Sequence, residues 1–199
     1  MTRAAFGVRM HSGWGVLVAV AGDTDSLRVM DRRRIVTTDP AIPGANQPYH
    51  YAASLSLLES ERHLAKCAAV SERLALAAVE DVVRELGRRH CRIVGSAVLL
   101  ASGRPLPPLP NILASHALIH TAEGEFFRDA IKKACARLKI PVTAIRERDL
   151  GDLLKTKFGN AANRVQGRIS VLGSSIGPPW TKDHKTAALA ALMVLAQSA

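Results

Sequence analysis

The chain of 199 residues is long enough for one domain with a sizeable core, and its 48% hydrophobic and 22% charged residues exclude a disordered chain. No apolar run approaches the ~20 residues that cross a bilayer. The three cysteines are widely spaced and odd in number, which argues against a disulfide framework and favours the reducing cytoplasm. The formal net charge of +10 favours a polyanionic partner such as nucleic acid, although a basic surface without such a partner fits it too.

The N-terminal part of the chain predicts three β-strands joined by short turns. Residues 6–10 and the apolar run 15–20 form the first two, and the charged segment 27–37 is typical of a strand at a sheet edge. Strands joined in this way form an antiparallel meander. Arg3 and Arg9 before the apolar run also fit a secretory signal, but the run is short and follows a turn, so we prefer a strand.

A long helix follows a linker rich in Pro, Gly and Asn at residues 39–48. The pattern predicts helix over residues 52–86, ending at Gly87, with a break near Ser71 as an alternative because the length exceeds that of most globular helices. This Ala- and Leu-rich helix could also serve as the interface of a homo-oligomer.

The C-terminal half predicts a parallel pair of strands with a helix between them. A strand at 91–101, a helix from Ser115 to residue 138 and a strand at 141–147 form a βαβ unit, whose strands run parallel. Weaker helices follow at 150–176. Thr181 then begins a last helix, which is apolar on all sides and should be buried.

This order of elements resembles the ribonuclease H-like superfamily. The segment 7–16, GVRMHSGWGV, is similar to the first strand pair of the nucleases and Holliday-junction resolvases in that group, where a Gly-X-Asp strand turns into a Gly-Trp strand. The segment 180–189, WTKDHKTAAL, is similar to their last helix, which carries an acidic residue near its start. The resemblance implies one α/β domain over residues 1–199, with a mixed five-stranded sheet (three antiparallel strands, then two parallel) flanked by helices.

The resemblance also implies several carboxylates around divalent metal ions that activate water against a phosphodiester. This chain departs from that pattern, because Met10 and His11 stand where the first strand should end in Asp, and Ala101 and Ser102 end the fourth strand. Asp183 alone matches the expected acidic residue. An ordinary two-magnesium site is therefore not expected, since Mg²⁺ requires oxygen ligands.

A second group of polar residues could supply the missing ligands. His116, His120 and Glu123 are spaced by four and three residues, so they share one helix face, and the apolar stripe that continues it predicts that this face points inward. Two imidazoles and a carboxylate suit a transition metal. The alternative is a purely structural role, in which the three side chains hydrogen-bond within a helix–sheet seam.

In the resembled fold, the end of the first strand and the start of the last helix approach each other. We therefore predict one cleft bordered by five residues: His11, His116, His120, Glu123 and Asp183. The predicted catalytic residues are His11, Glu123 and Asp183. The predicted metal ligands are His116, His120, Glu123 and Asp183. Lys185, near the positive end of the last helix, is a candidate for binding a substrate phosphate.

These predictions support two functional hypotheses. The first is a metal-dependent nuclease or phosphodiesterase acting on nucleic acid, with Mg²⁺, Mn²⁺ or a histidine-binding transition metal as cofactor. The alternative is a non-catalytic protein that kept the fold and lost the site, and either binds nucleic acid or assembles into an oligomer. His11 in place of an aspartate motivates this alternative.

Overall fold

The computed structural model describes residues 1–101 and 105–197. Five strands form one sheet: β1 (Thr2–Met10), β2 (Trp14–Ala21), β3 (Arg28–Val36), β4 (Cys91–Leu100) and β5 (Val142–Arg146), in the order β3-β2-β1-β4-β5. Strands β1, β2 and β3 pair antiparallel, whereas β4 pairs parallel with both β1 and β5. This mixed sheet confirms the predicted one. The apolar run that also fitted a secretory signal is the central part of β2.

Seven α-helices lie in the described ranges. They are α1 (Pro48–Ala52), α2 (Leu57–Arg88), α3 (Leu109–Leu113), α4 (His116–Arg137), α5 (Leu150–Phe158), α6 (Ala162–Ile176) and α7 (Lys182–Gln197). The helix predicted over 52–86 was wrong at its start, because α1 is separate and Ser56 begins α2 with a reciprocal capping box to Glu59. The alternative break near Ser71 is absent, since α2 is continuous there.

The helices cover both faces of the sheet. Helix α7 packs on one face, against alternate strand residues such as Ala5 and Val18. Helices α2 and α4 pack on the other, against neighbours such as Phe6 and Val8. As predicted, α7 is largely buried, because small and apolar residues make up its length from residue 187 to residue 196.

The backbone of α7 lies directly over β1 at Gly7. A Cβ atom at this position would stand 2.0 Å from the carbonyl oxygen of Ala187, so only glycine allows the helix to approach so closely. This contact fixes the height of α7 above the sheet and places its first turn at the carboxyl end of β1.

The carboxyl ends of β1 and β4 lie at one edge of the sheet, because the two strands are parallel. His11 directly follows β1 at this edge, and α7 begins there. Ser102, which was predicted to end the fourth strand, lies outside the described residues. Within those residues, no helix combines the length and the apolar character that crossing a membrane requires.

Candidate functional site

Arg9 is the centre of an ion-pair network at the carboxyl end of β1. Its Nη1 donates to Asp183 Oδ1 at 2.6 Å, while its Nε and Nη2 donate to the two carboxylate oxygens of Glu147 at 2.9 and 3.2 Å. His11 Nε2 lies 2.8 Å from the second oxygen of Asp183 and 3.0 Å from Arg9 Nη1. One guanidinium therefore joins carboxylates from α7 and from the turn that follows β5.

The network is partly buried, with side-chain exposures of 22% for Arg9, 20% for Asp183 and 33% for Glu147. Burial alone lowers the pKa of Arg9, but the hydrogen bonds and charges of Glu147 and Asp183 outweigh it and raise that pKa above its ordinary value. Arg9 is therefore a permanent cation in this position.

The divalent metal site implied by the resemblance does not fit these residues. Both carboxylate oxygens of Glu147 accept hydrogen bonds from Arg9. One oxygen of Asp183 accepts from Arg9, and the other is within hydrogen-bond distance of His11. An ion such as Mg²⁺ needs several oxygen ligands at about 2.0–2.1 Å, and here it would meet a fixed positive charge. The guanidinium thus occupies the place between the carboxylates.

Arg9 was not predicted from the sequence to be a site residue. Counting the Gly-X-Asp pattern from Gly7 places Arg9 at its third position, so the signal was present in the sequence. Strand alternation puts Arg9 on the same face as Ala5 and Gly7, which is the face that α7 covers. An arginine therefore stands where the pattern has the acid.

A cavity of about 460 Å³ lies next to this network and is basic. Trp14 stacks on His11 with ring centroids 4.3 Å apart, and the guanidinium of Arg34 lies 4.3 Å from the centroid of the Trp14 ring. The lining residues are Trp14, Val16, Arg32, Arg33, Arg34, Pro179, Thr181, Lys182, Asp183 and His184.

The cationic residues of this cavity differ in their availability. Arg32 donates to the carbonyl oxygens of Gly177 and Pro179 at 2.8 and 2.6 Å, so it anchors the turn before α7. Arg33 pairs with Asp31. Arg34 and Lys182 are exposed, and neither forms an ion pair with another described residue. These two side chains are therefore free to meet an anion.

The predicted residues of α4 lie elsewhere. Glu123 is 3% exposed, as expected for an inward face, but the inward orientation predicted for His116 and His120 was wrong because both are exposed. These two rings are in the first turns of α4, beside α1, where His50 approaches them. The sequence did not identify His50 as a site residue, but its Nδ1 lies 2.9 Å from Oε1 of Glu123.

The structure does not bring the five predicted residues into one group. His11 and Asp183 meet on the α7 side of the sheet, whereas His116, His120 and Glu123 belong to α4 on the opposite side. The ligand atoms of His50, His116 and His120 lie within 4.8 Å of one another. Lys185 borders another cavity, of about 220 Å³, which Lys182 also lines. The catalytic, ligand and phosphate-binding roles of the predicted residues stay predictions.

Comparisons with known proteins support the fold. No family profile matches the chain, and no curated protein matches it. Its structure is similar to that of T. thermophilus RuvC in complex with a Holliday junction substrate, with a TM-score of 0.54 and 14% sequence identity, covering 98% of this chain and 94% of that one. A second structure, Thermus thermophilus RuvC, gives a TM-score of 0.52 at 14% identity with the same coverage of 98% and 94%. The predicted ribonuclease H-like fold is therefore confirmed.

Proposed function

We propose that this protein binds nucleic acid at the carboxyl end of β1, through the cavity beside Trp14. The observation that carries this proposal is a basic, aromatic cavity at the end of the central strand of a ribonuclease H-like sheet. The similar RuvC structure is a complex with a Holliday junction substrate, which suggests the same class of ligand for this chain. The net charge of +10 supplies the long-range attraction to a polyanion.

The local chemistry suits a phosphate group. Lys182 is exposed in the first turn of α7, where the helix dipole adds positive potential, and Arg34 is exposed on β3. Asp183 would otherwise repel a phosphate, but its charge is compensated by Arg9 and its second oxygen contacts His11. Phosphate contacts of this kind hold a duplex or a single strand without reading its sequence.

We further propose that this location holds nucleic acid without cleaving it by a two-metal mechanism. The reason is the Arg9 guanidinium, which takes up the oxygens that metal ions would need. This corresponds to the non-catalytic alternative from the sequence.

Metal-dependent phosphodiester hydrolysis is the second candidate function. The observation that favours it is the group of three imidazoles contributed by His50, His116 and His120, which suits a transition metal rather than Mg²⁺. The activity of such a nuclease would depend on the histidines of α1 and α4 and not on Asp183.

Binding is tested with single-stranded DNA, duplex DNA and a four-way junction, titrated by fluorescence anisotropy over a range of salt concentrations. The plot of log K against log salt has a negative slope, and the double variant Arg34→Ala/Lys182→Ala should make it less steep by about 2. The reason is that each lost phosphate contact removes about one released counterion. Arg84→Ala/Arg88→Ala is the matched control, because it also removes two exposed cations, which lie toward the end of α2 and far from this edge. Absence of binding at low salt to all three nucleic acids would refute the proposal, as would equal losses in the double variant and the control.

Cleavage of the same three nucleic acids with Mg²⁺, Mn²⁺ and Zn²⁺ separates the two functions. We expect no cleavage in Mg²⁺. Cleavage that His116→Ala abolishes and Asp183→Asn preserves would establish the second function. Cleavage that Asp183→Asn abolishes would show that the network around Arg9 is an active site, contrary to our proposal.

A further inference from the structure

Three imidazoles from two separate segments converge beside the first turns of α4. His116 and His120 are four residues apart on that helix, and their ring centroids lie 4.5 Å apart. The ring of His50, from α1, lies 5.3 Å from that of His116 and 4.7 Å from that of His120. All three pairs of rings meet edge to face, with interplanar angles of 78°, 65° and 86°, and none of them is stacked.

A buried carboxylate orients one of these rings. Glu123 is 3% exposed, and its Oε1 accepts hydrogen bonds from Nδ1 of His50 at 2.9 Å and from the backbone N–H of His50 at 3.2 Å. The Nδ1–H tautomer leaves the Nε2 lone pair of His50 unprotonated and available as a ligand. Metal-binding histidines characteristically have such a carboxylate on the second ring nitrogen, which fixes the ring and raises its basicity.

The other two rings are free to complete a site. Among the residues that the structure describes, no side-chain hydrogen bond engages His116 or His120, and both are exposed. The buried residues of α4, such as Ile119, Phe127 and Ile131, form its core contacts, and the two exposed rings contribute nothing to that packing.

We propose that His50, His116 and His120 bind one divalent transition metal ion of the zinc class, with Glu123 as the positioning residue for His50. Zinc–imidazole bonds of about 2.0–2.1 Å in a tetrahedron require nitrogens roughly 3.4 Å apart, which small rotations of the two exposed rings allow from within 4.8 Å. Three protein ligands leave a fourth position open to water, as in catalytic rather than structural zinc sites. Binding here does not require nucleic acid, so this site is independent of the Trp14 cavity.

The site is tested on the full chain by isothermal titration with Zn²⁺ alone and by the visible spectrum of bound Co²⁺, which reports tetrahedral coordination. We expect one ion per chain. His116→Ala and His120→Ala remove exposed side chains and should abolish this binding without unfolding the protein. Glu123→Gln keeps the shape of the side chain and should weaken binding 10- to 100-fold, as is typical of an outer carboxylate.

Two controls make the result specific. His90→Asn replaces another exposed histidine, at a left-handed backbone position that Asn tolerates, and should leave the affinity unchanged. Asp183→Asn should also leave it unchanged. The proposal is overturned if Zn²⁺ does not bind, if His116→Ala binds it as tightly as the unmodified chain, or if Asp183→Asn weakens binding as much as His116→Ala does.

Discussion

Replacing Arg9 tests whether its guanidinium is the cation that holds Asp183 and Glu147 together. Arg9→Met keeps much of the apolar stem and removes three charge-assisted hydrogen bonds to the two carboxylates. Breaking a buried ion pair costs about 3–5 kcal/mol and an exposed pair at most about 1 kcal/mol. The three side chains are between a fifth and a third exposed, so we expect an intermediate loss of about 2 kcal/mol in the free energy of unfolding.

A loss of this size is measurable. For a chain of 199 residues it corresponds to a fall in Tm of roughly 4–8 °C, and to a lower urea midpoint at an unchanged m-value. Arg84→Met is the matched control, because Arg84 pairs with Asp81 on the exposed surface of α2 and its loss should cost less than about 0.5 kcal/mol. If Arg9→Met costs no more than Arg84→Met, the network does not stabilise this end of the sheet and our account of it is wrong.

Further predictions concern the same fold. Arg9→Asp should let Mg²⁺ raise the Tm, which this ion should not do for the unmodified chain, because the variant exchanges the fixed cation for a third carboxylate. Gly7→Ala should lower the free energy of unfolding in urea by about 3 kcal/mol, since its Cβ would meet the carbonyl of Ala187. Burial lowers the pKa of His184, so the unfolded chain binds its proton more readily; stability should be complete above about pH 6.5 and fall below it, and less so in His184→Gln. Burial raises the pKa of the Cys135 thiol, so a thiol-specific reagent should modify it only after urea unfolds the chain.

Two expectations from the sequence remain predictions. The first is a homo-oligomer formed through α2, which exposes Leu57 and Leu58 at its start and Val83 near its end. Light scattering at two protein concentrations would measure whether the chain forms an oligomer. The role of Lys185 as a phosphate ligand is tested by adding Lys185→Ala to the salt titrations of nucleic acid binding.

The architecture could be read from the sequence because its signals are local. The apolar run of β2, the turns around Gly13 and Gly22, and the βαβ spacing from β4 to β5 each depend on neighbouring residues. The apolar stripe of α4 likewise predicted that Glu123 lies on the buried face. Such patterns determine which elements form, and the handedness and crossover rules then restrict their order in the sheet.

The composition of each site was decided only by tertiary structure. Arg9 meets Glu147 and Asp183 across 138 and 174 positions of sequence, and no periodicity connects residues so far apart. His50 lies beside α4 because the linker before α1 places that short helix there. The linker has no regular hydrophobic period, so its path could not be predicted from the sequence. Strand alternation places Arg9 on the α7 face while α4 packs on the other, and the sheet itself therefore separates the acidic residue of α7 from the histidines of α4.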